Sequence, residues 1–313
     1  GAPPLRVAVV GAGAVGGYYA ARAAELGAQV ILCVRRPFGR LRLVRSAPAA
    51  GGAAAGNSAG EQVIEVDARV VTRPEDIGGP VDWVILATKA HQTPEALPWL
   101  AAALGEGTGV VVAQNGVRHV ERVSPPVPAA AVLPAVVYIN AEQTEPGLVR
   151  HRNYGVMQVP DSPLAERFAA TVLPPGDVRL LADFHSAAWS KLVVNSAVNS
   201  VTALTGQRME VLRRPDIAAL ATRLMEEAVA VARADGAQVP AELPEFTLRR
   251  LRGQPPGAGT SMLYDRLAGR PLEHEALIGA VVRIGAELGV PTPASSALLP
   301  LLAAISDAGR RPG

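Results

Sequence analysis

Leu5-Arg6-Val7-Ala8-Val9-Val10 runs directly into Gly11-Ala12-Gly13-Ala14-Val15-Gly16, and the chain then stays helix-like to Leu26 before Gly27. A β-branched apolar run, a glycine turn and a helix are the parts of a dinucleotide-binding βα unit. The first glycine permits the tight turn. The second lets a pyrophosphate approach the backbone, and the third lets the helix pack closely, leaving its N-terminus aimed at the phosphates. A secretory signal is the rival reading, since Arg6 precedes the apolar segment. It loses because glycines punctuate the segment at phosphate-loop spacing and a second apolar strand, Gln29 to Val34, follows at once.

Working outward, that second strand ends at Arg35 and Arg36, where an acid would accept from the ribose 2′-hydroxyl of NAD. An arginine there pairs instead with a 2′-phosphate, so Arg35, or its neighbour, points to NADP. A low-complexity patch of Ala, Gly, Ser and Pro from Ser46 to Gly60 reads as a surface loop. Alternation resumes at Val63, Glu65 and Asp67 and continues to Val70 and Val71, as in exposed strands. Val81 to Ala87 and Gly109 to Ala113 are continuous apolar runs, as expected of parallel strands covered on both faces.

After Pro174-Pro175-Gly176 the periodicity becomes helical: Ser186 to Leu204, Ile217 to Ala234 with Asp216 as its N-cap, Leu272 to Leu288 ended by Gly289, and Ala294 to Ile305. The expected fold is an α/β chain: an N-terminal Rossmann-type parallel sheet domain over residues 1–182 and an all-helical domain over 183–313.

Composition narrows the rest. At 313 residues, 49% apolar and 19% charged, the chain is too hydrophobic for disorder and long enough for two domains. Its net charge of +2 and the lack of a basic run interleaved with aromatics speak against nucleic acid as a partner. The longest apolar stretch, Val127 to Ile139, is too short to span a membrane and holds Pro128 and Pro134. A single cysteine, Cys33, cannot form an internal disulfide, which fits a cytoplasmic protein. The five histidines share no metal-ligand spacing, so no metal is expected.

Among 30 basic residues only Lys89 and Lys191 are lysine. Lysine is a compact charge that can give up its proton near neutral pH, whereas arginine holds on to its own, so these two positions are candidates for chemistry. Lys191, Asn195 and Asn199 recur every four residues, which places one cation and two amides in a single stripe on an otherwise apolar helix. Asparagines that cap or satisfy backbone groups would give the same pattern.

The glycine turn, Thr88-Lys89-Ala90-His91-Gln92, Gln114-Asn115-Gly116, Lys191 with Asn195 and Asn199, and Ser261-Met262 followed by Asp265 and Glu273 together resemble the ketopantoate reductases. The resemblance implies an NADPH-holding Rossmann domain, a helical domain closing over the keto acid, and hydride transfer to a C2 carbonyl in the route to pantothenate and coenzyme A. It implies that Lys191 donates the proton and that Glu273 contacts the nicotinamide ribose and the reacting groups. Asn115, Asn195, Asn199 and Ser261 would bind substrate. The cofactor side would comprise Gly11, Ala12, Gly13, Ala14, Val15, Gly16, Arg35, Lys89, Asn115 and Glu273. Read without the resemblance, Ser261 could instead cap a short helix from Met262, and Glu273 could open the 272–288 helix, where an acid suits the macrodipole.

Met209 stands where the family often carries a further substrate-side Asn. This leaves another branched or aromatic 2-keto acid as an alternative substrate, while a non-catalytic NADP-binding sensor is the alternative from another class. The partners expected are a small keto acid and, as an open option, a second copy of the chain in a homodimer.

Overall fold

The computed structural model describes residues 1–46 and 60–310, so the low-complexity patch lies, save for its end residues, outside the described residues. The chain divides into two compact units, Gly1–Gln114 with Arg118–Phe184, and Asn115–Val117 with the chain from His185 onward.

The first unit is built on a six-stranded, wholly parallel sheet. Strand β1 (Arg6–Val10) leads into α1 (Ala14–Glu25) and β2 (Gln29–Cys33). After β3 (Leu41–Ser46) and β4 (Glu61–Val66), the parallel sheet continues with β5 (Ala68–Val71), β6 (Trp83–Leu86), α2 (Thr93–Ala103), β7 (Gly109–Val112), α3 (His119–Val123) and β8 (Val132–Pro134). The strand order is β5-β2-β1-β6-β7-β8, so the direction of winding reverses between β1 and β6, the place where open α/β sheets bind ligands.

The continuous apolar runs are explained by burial on both faces. Val7, Val9, Leu32, Ile85 and Val111 pack with Tyr19 and Ala20 of α1. Ala8, Val10, Ile31, Leu86, Val110 and Val112 face the opposite way, against Trp99 and Leu100 of α2. Successive residues of one strand thus serve two separate cores.

A second, mixed sheet goes beyond the sequence-based expectation. Its remaining strands are β9 (Val136–Glu145), β10 (Leu148–Pro160) and, after α4 (Pro163–Thr171), β11 (Val178–Leu181). The order is β11-β10-β3-β4, with β9 antiparallel to β10. Sequence patterning misses β9 and β10 because the second half of β9 and the middle of β10 are polar and exposed. The run Arg150-His151-Arg152-Asn153 shows no apolar alternation, yet Val149, Met157 and Val159 of the same strand are fully buried.

The second unit is helical: α5 (Phe184–Thr205), α6 (Pro215–Ala234), α7 (Leu243–Arg252), α8 (Ser261–Leu267), α9 (Ile278–Leu288) and α10 (Pro293–Arg310). Helices α6, α9 and α10 pack against one another, burying Leu224, Met225, Ala228, Ile284 and Leu302. Gly289, in the left-handed conformation at φ +71°, follows α9 and ends it.

Two boundary expectations are corrected. Asp216 does not cap α6: it lies in the first turn, where its carboxylate accepts from its neighbour's N–H and pairs with Arg214 at 2.8 Å. The helix expected over 272–288 begins only at Ile278. Residues 274–277 form a turn, in which the carbonyl of His274 accepts from the N–H of Gly279 at 2.8 Å. Among the described residues no helix is long and apolar enough to cross a membrane.

Candidate active site

In the first unit the glycine turn is shaped by contacts that leave no room for a side chain. A Cβ on Gly16 would sit 1.8 Å from the carbonyl oxygen of Gly11, so the helix can begin only if residue 16 has none. Gly11 takes φ +95°, a region that L side chains rarely adopt, and a Cβ there would approach Thr88 N to 3.0 Å. Gly13 differs: among the described residues nothing lies within 4 Å of its would-be Cβ, and it stands at the head of α1, where none of them gives the helix a side-chain cap. Open space in front of uncapped N–H groups at a helix N-terminus is what a pyrophosphate needs, so the turn fits a dinucleotide.

The far sides of the turn are tied down. Gln143 of β9 donates to the carbonyl of Ala12 at 3.1 Å. Beyond β6, the Lys89 N–H donates to Gln92 Oε1 at 3.1 Å, opening the turn into α2. Gln114, almost wholly buried at the end of β7, donates from its amide to the carbonyl of Thr88 at 3.2 Å and to Thr93 Oγ1 at 3.1 Å. Gln114 therefore anchors the segment that carries Lys89, a role no motif reading had given it; a buried amide at a strand end is the signal that could have found it. Arg35 and Arg36 are exposed just past β2 and form no ion pair among the described residues.

In the second unit, three segments far apart in sequence meet. Lys191 of α5 donates from Nζ to Asn115 Oδ1 at 3.1 Å, and Asn115 Nδ2 donates to Glu273 Oε2 at 3.3 Å. The amide relays between cation and carboxylate, each of its two ends used according to its polarity. Glu273 is buried, and it sits in the turn ahead of α9 rather than in the helix, so the macrodipole does not account for it. Burial pushes the Lys191 ammonium down to about 8, while the Glu273 charge works in the opposite sense.

Asn195 is half-buried and Asn199 buried, and their side-chain amides have no hydrogen-bond partner among the described residues. They make neither a cap nor a backbone tie, the bland reading of such a stripe. The stripe also runs further than the sequence suggested. Thr202 lies on the same face three residues past Asn199, fully buried, with its hydroxyl 2.7 Å from that of Thr260. From Lys191 to Asn199 the helix rises about 12 Å, enough for a small acid to be held along it. Thr202 was legible in principle, because it keeps the helical spacing of the polar face.

Thr260 is the cap of α8, its Oγ1 accepting from the Leu263 N–H at 3.1 Å, so Ser261 is not. Ser261 occupies the first helical position and is exposed. Met209 is half-buried, with its backbone N–H bonded to the carbonyl of Ala258 at 2.9 Å. Among the described residues no group of three or more His, Cys, Asp or Glu is arranged to hold a metal ion.

The chain matches the family models described as ketopantoate reductase PanE/ApbA, over residues 7–163, and its C-terminal counterpart, over residues 183–306. It is 42% identical over 302 residues to a 2-dehydropantoate 2-reductase of Mycobacterium tuberculosis, covering 96% of this chain and 98% of the other. A 2-dehydropantoate 2-reductase of Caulobacter vibrioides is 37% identical, covering 95% and 97%. Among solved structures, a dimeric ketopantoate reductase from Staphylococcus aureus superposes with a TM-score of 0.82 at 28% identity, covering 97% of this chain and all of its own.

Proposed function

This chain belongs to the ketopantoate reductase family, and from that premise we propose that it reduces 2-dehydropantoate to pantoate with NADPH, in the route to pantothenate. It is an oxidoreductase acting on a CH–OH group, and the family's chemistry with a Rossmann-type sheet calls for a nicotinamide cofactor. The observation that carries the reading is the Lys191–Asn115–Glu273 relay, a poised ammonium beside a buried carboxylate at the head of an unsatisfied amide stripe.

In this reading residues 1–182 hold the cofactor and residues 183–313 the acid. Gly11, Ala12, Gly13, Ala14, Val15 and Gly16 receive the pyrophosphate, Lys89 the phosphate-ribose region, and Arg35 the 2′-phosphate. That Arg35 is exposed and forms no ion pair among the described residues supports NADP over NAD, because a guanidinium already engaged by a carboxylate would have little left for phosphate. When bound, the reduced nicotinamide supplies a hydride to C2 of the keto acid. The protein's part is orientation and charge. Lys191 hydrogen-bonds the C2 carbonyl oxygen, stabilises the negative charge that grows there, and passes its proton to the alkoxide. Asn115 holds the lysine in line and Glu273 balances its charge. Asn195 and Asn199 bind the hydroxyl and carboxylate groups, and Ser261 adds a further hydroxyl contact.

The test is a panel of 2-keto acids, branched and aromatic, assayed with NADPH and NADH. We expect the highest kcat/KM with 2-dehydropantoate and NADPH. Arg35→Ala should raise KM for NADPH about tenfold with little effect on NADH, as loss of one charge-assisted contact implies. A different keto acid at the top of the panel would assign the substrate to that acid, in keeping with Met209. Tight NADPH binding without turnover of any acid would overturn the enzymatic reading.

A further inference from the structure

Residues 253–260 deliver Ser261 to α8, and such a glycine- and proline-rich loop has little apolar surface with which to fix itself. Three consecutive residues from elsewhere grip it. The Arg208 guanidinium donates to the carbonyl of Gly257 at 2.9 Å, the backbone N–H of Met209 to the carbonyl of Ala258 at 2.9 Å, and the Glu210 carboxylate accepts from the N–H of Gly257.

Tyr264, one turn into α8, closes the arrangement. Its hydroxyl accepts from the Gly259 N–H at 3.0 Å and from Arg208 at 3.1 Å, while the guanidinium lies 5.4 Å from the centre of its ring. A Cβ on residue 259 would come within 2.8 Å of the tyrosine ring, so anything larger than glycine would displace Tyr264 from this contact. The far end of the loop is fixed to α5 by the contact between Thr260 and Thr202, one turn beyond Asn199.

Resting on the reading of Ser261 as a substrate contact, we propose that Arg208, Glu210 and Tyr264 form a clasp that sets the position of Ser261 against the amide stripe, and so act as positioning residues for the keto acid. None of them need touch the acid. The clasp uses the main chain of residue 209, which leaves the Met209 side chain open to change without loosening the loop. The Gly257 N–H holds the Glu210 carboxyl below the ordinary carboxylate range, so the acceptor stays ionised through neutral pH.

The test pairs clasp variants with Ser261→Ala. Tyr264→Phe keeps the ring and loses the hydroxyl. Glu210→Ala loses the acceptor, and Glu210→Gln restores one. With each hydrogen bond contributing about 0.5–1.5 kcal/mol, Tyr264→Phe and Glu210→Ala should raise the keto acid KM about threefold to tenfold. Turnover should stay within about twofold, KM for NADPH should be unchanged, and Glu210→Gln should return near wild type. In the Ser261→Ala background the same changes should add almost nothing, because they act through that residue.

An unchanged KM in the clasp variants, or effects that simply multiply with Ser261→Ala, would overturn the clasp while leaving Ser261 as a contact. If Ser261→Ala itself leaves KM unaltered, the assignment of Ser261 falls, and the clasp in this form falls with it.

Discussion

The glycine turn of the first unit and the polar stripe of the second are made by opposite means. The turn is a site of backbone: what matters at Gly11 and Gly16 is the absence of a side chain, and the residue that fits is dictated by a 1.8 Å overlap and a positive φ. The stripe is a site of side chains, assembled from residues 115, 191–202 and 273, and held by polar contacts of 3.1 and 3.3 Å that do not restrict residue type by shape. The first kind of site tolerates almost no substitution at its shaping residues. The second tolerates substitution structurally, and on the proposed reading it is the one whose substitutions cost chemistry.

The sharpest way to break that contrast is Lys191→Ala. A positioned proton donor contributes roughly 100- to 10,000-fold, so kcat should fall by that order while NADPH titrations are unchanged, since the proposed cofactor cradle does not include Lys191. Turnover within a few-fold of wild type would remove Lys191 from the chemistry. Thermal stability should fall modestly, because the substitution leaves Asn115 Oδ1 without its donor and the buried Glu273 carboxylate without a nearby cation.

Smaller in effect, but more informative about the turn, is a pair of alanines. Gly16→Ala forces a Cβ onto the Gly11 carbonyl, which has no flexible side chain to yield, so both the melting temperature and NADPH affinity should drop. Gly13→Ala meets only open space and should leave the melting temperature nearly unchanged, yet weaken NADPH by about tenfold if the pyrophosphate occupies that space. Equal losses of stability in the two variants would mean that Gly13 is structural and the cradle lies elsewhere.

The same contrast explains what could be read from the sequence. Backbone constraint writes itself into residue type, so the strand, turn and helix from Arg6 to Glu25 and the buried strands β6 and β7 were legible directly. The stripe was legible in part, because Lys191, Asn195 and Asn199 keep a four-residue period. Their tie to Asn115 and Glu273 was not, since nothing local to residues 115 or 273 encodes a partner more than 70 positions away; only the family resemblance joined them. The mixed sheet escaped because the polar stretches in the second half of β9 and the middle of β10 show no apolar alternation. Glu273 reads as helical because Leu272, Ala276 and Ala280 keep a four-residue apolar spacing, although the helix starts only at Ile278 and residues 274–277 fold as a turn.

The mildest perturbation, pH, separates the two sites without any mutation. The Lys191 ammonium is lowered from an ordinary 10.5 to about 8, first by burial and against the pull of Glu273. With Lys191 as the proposed proton donor, reduction would need the protonated form, so kcat/KM for the keto acid should be flat through neutrality, halve near pH 8 and lie about tenfold down one unit above that. Oxidation of the hydroxy acid needs the neutral amine and should rise over the same range. The limb for kcat should sit higher than that for kcat/KM, because a bound carboxylate favours the ammonium. NADPH affinity should not follow the Lys191 limb. In Lys191→Arg the limb should disappear, since a guanidinium keeps its proton throughout this range and can stabilise the oxyanion without protonating it. A limb near pH 8 that survives in Lys191→Arg would belong to another group, and the proton donor would have to be sought away from α5.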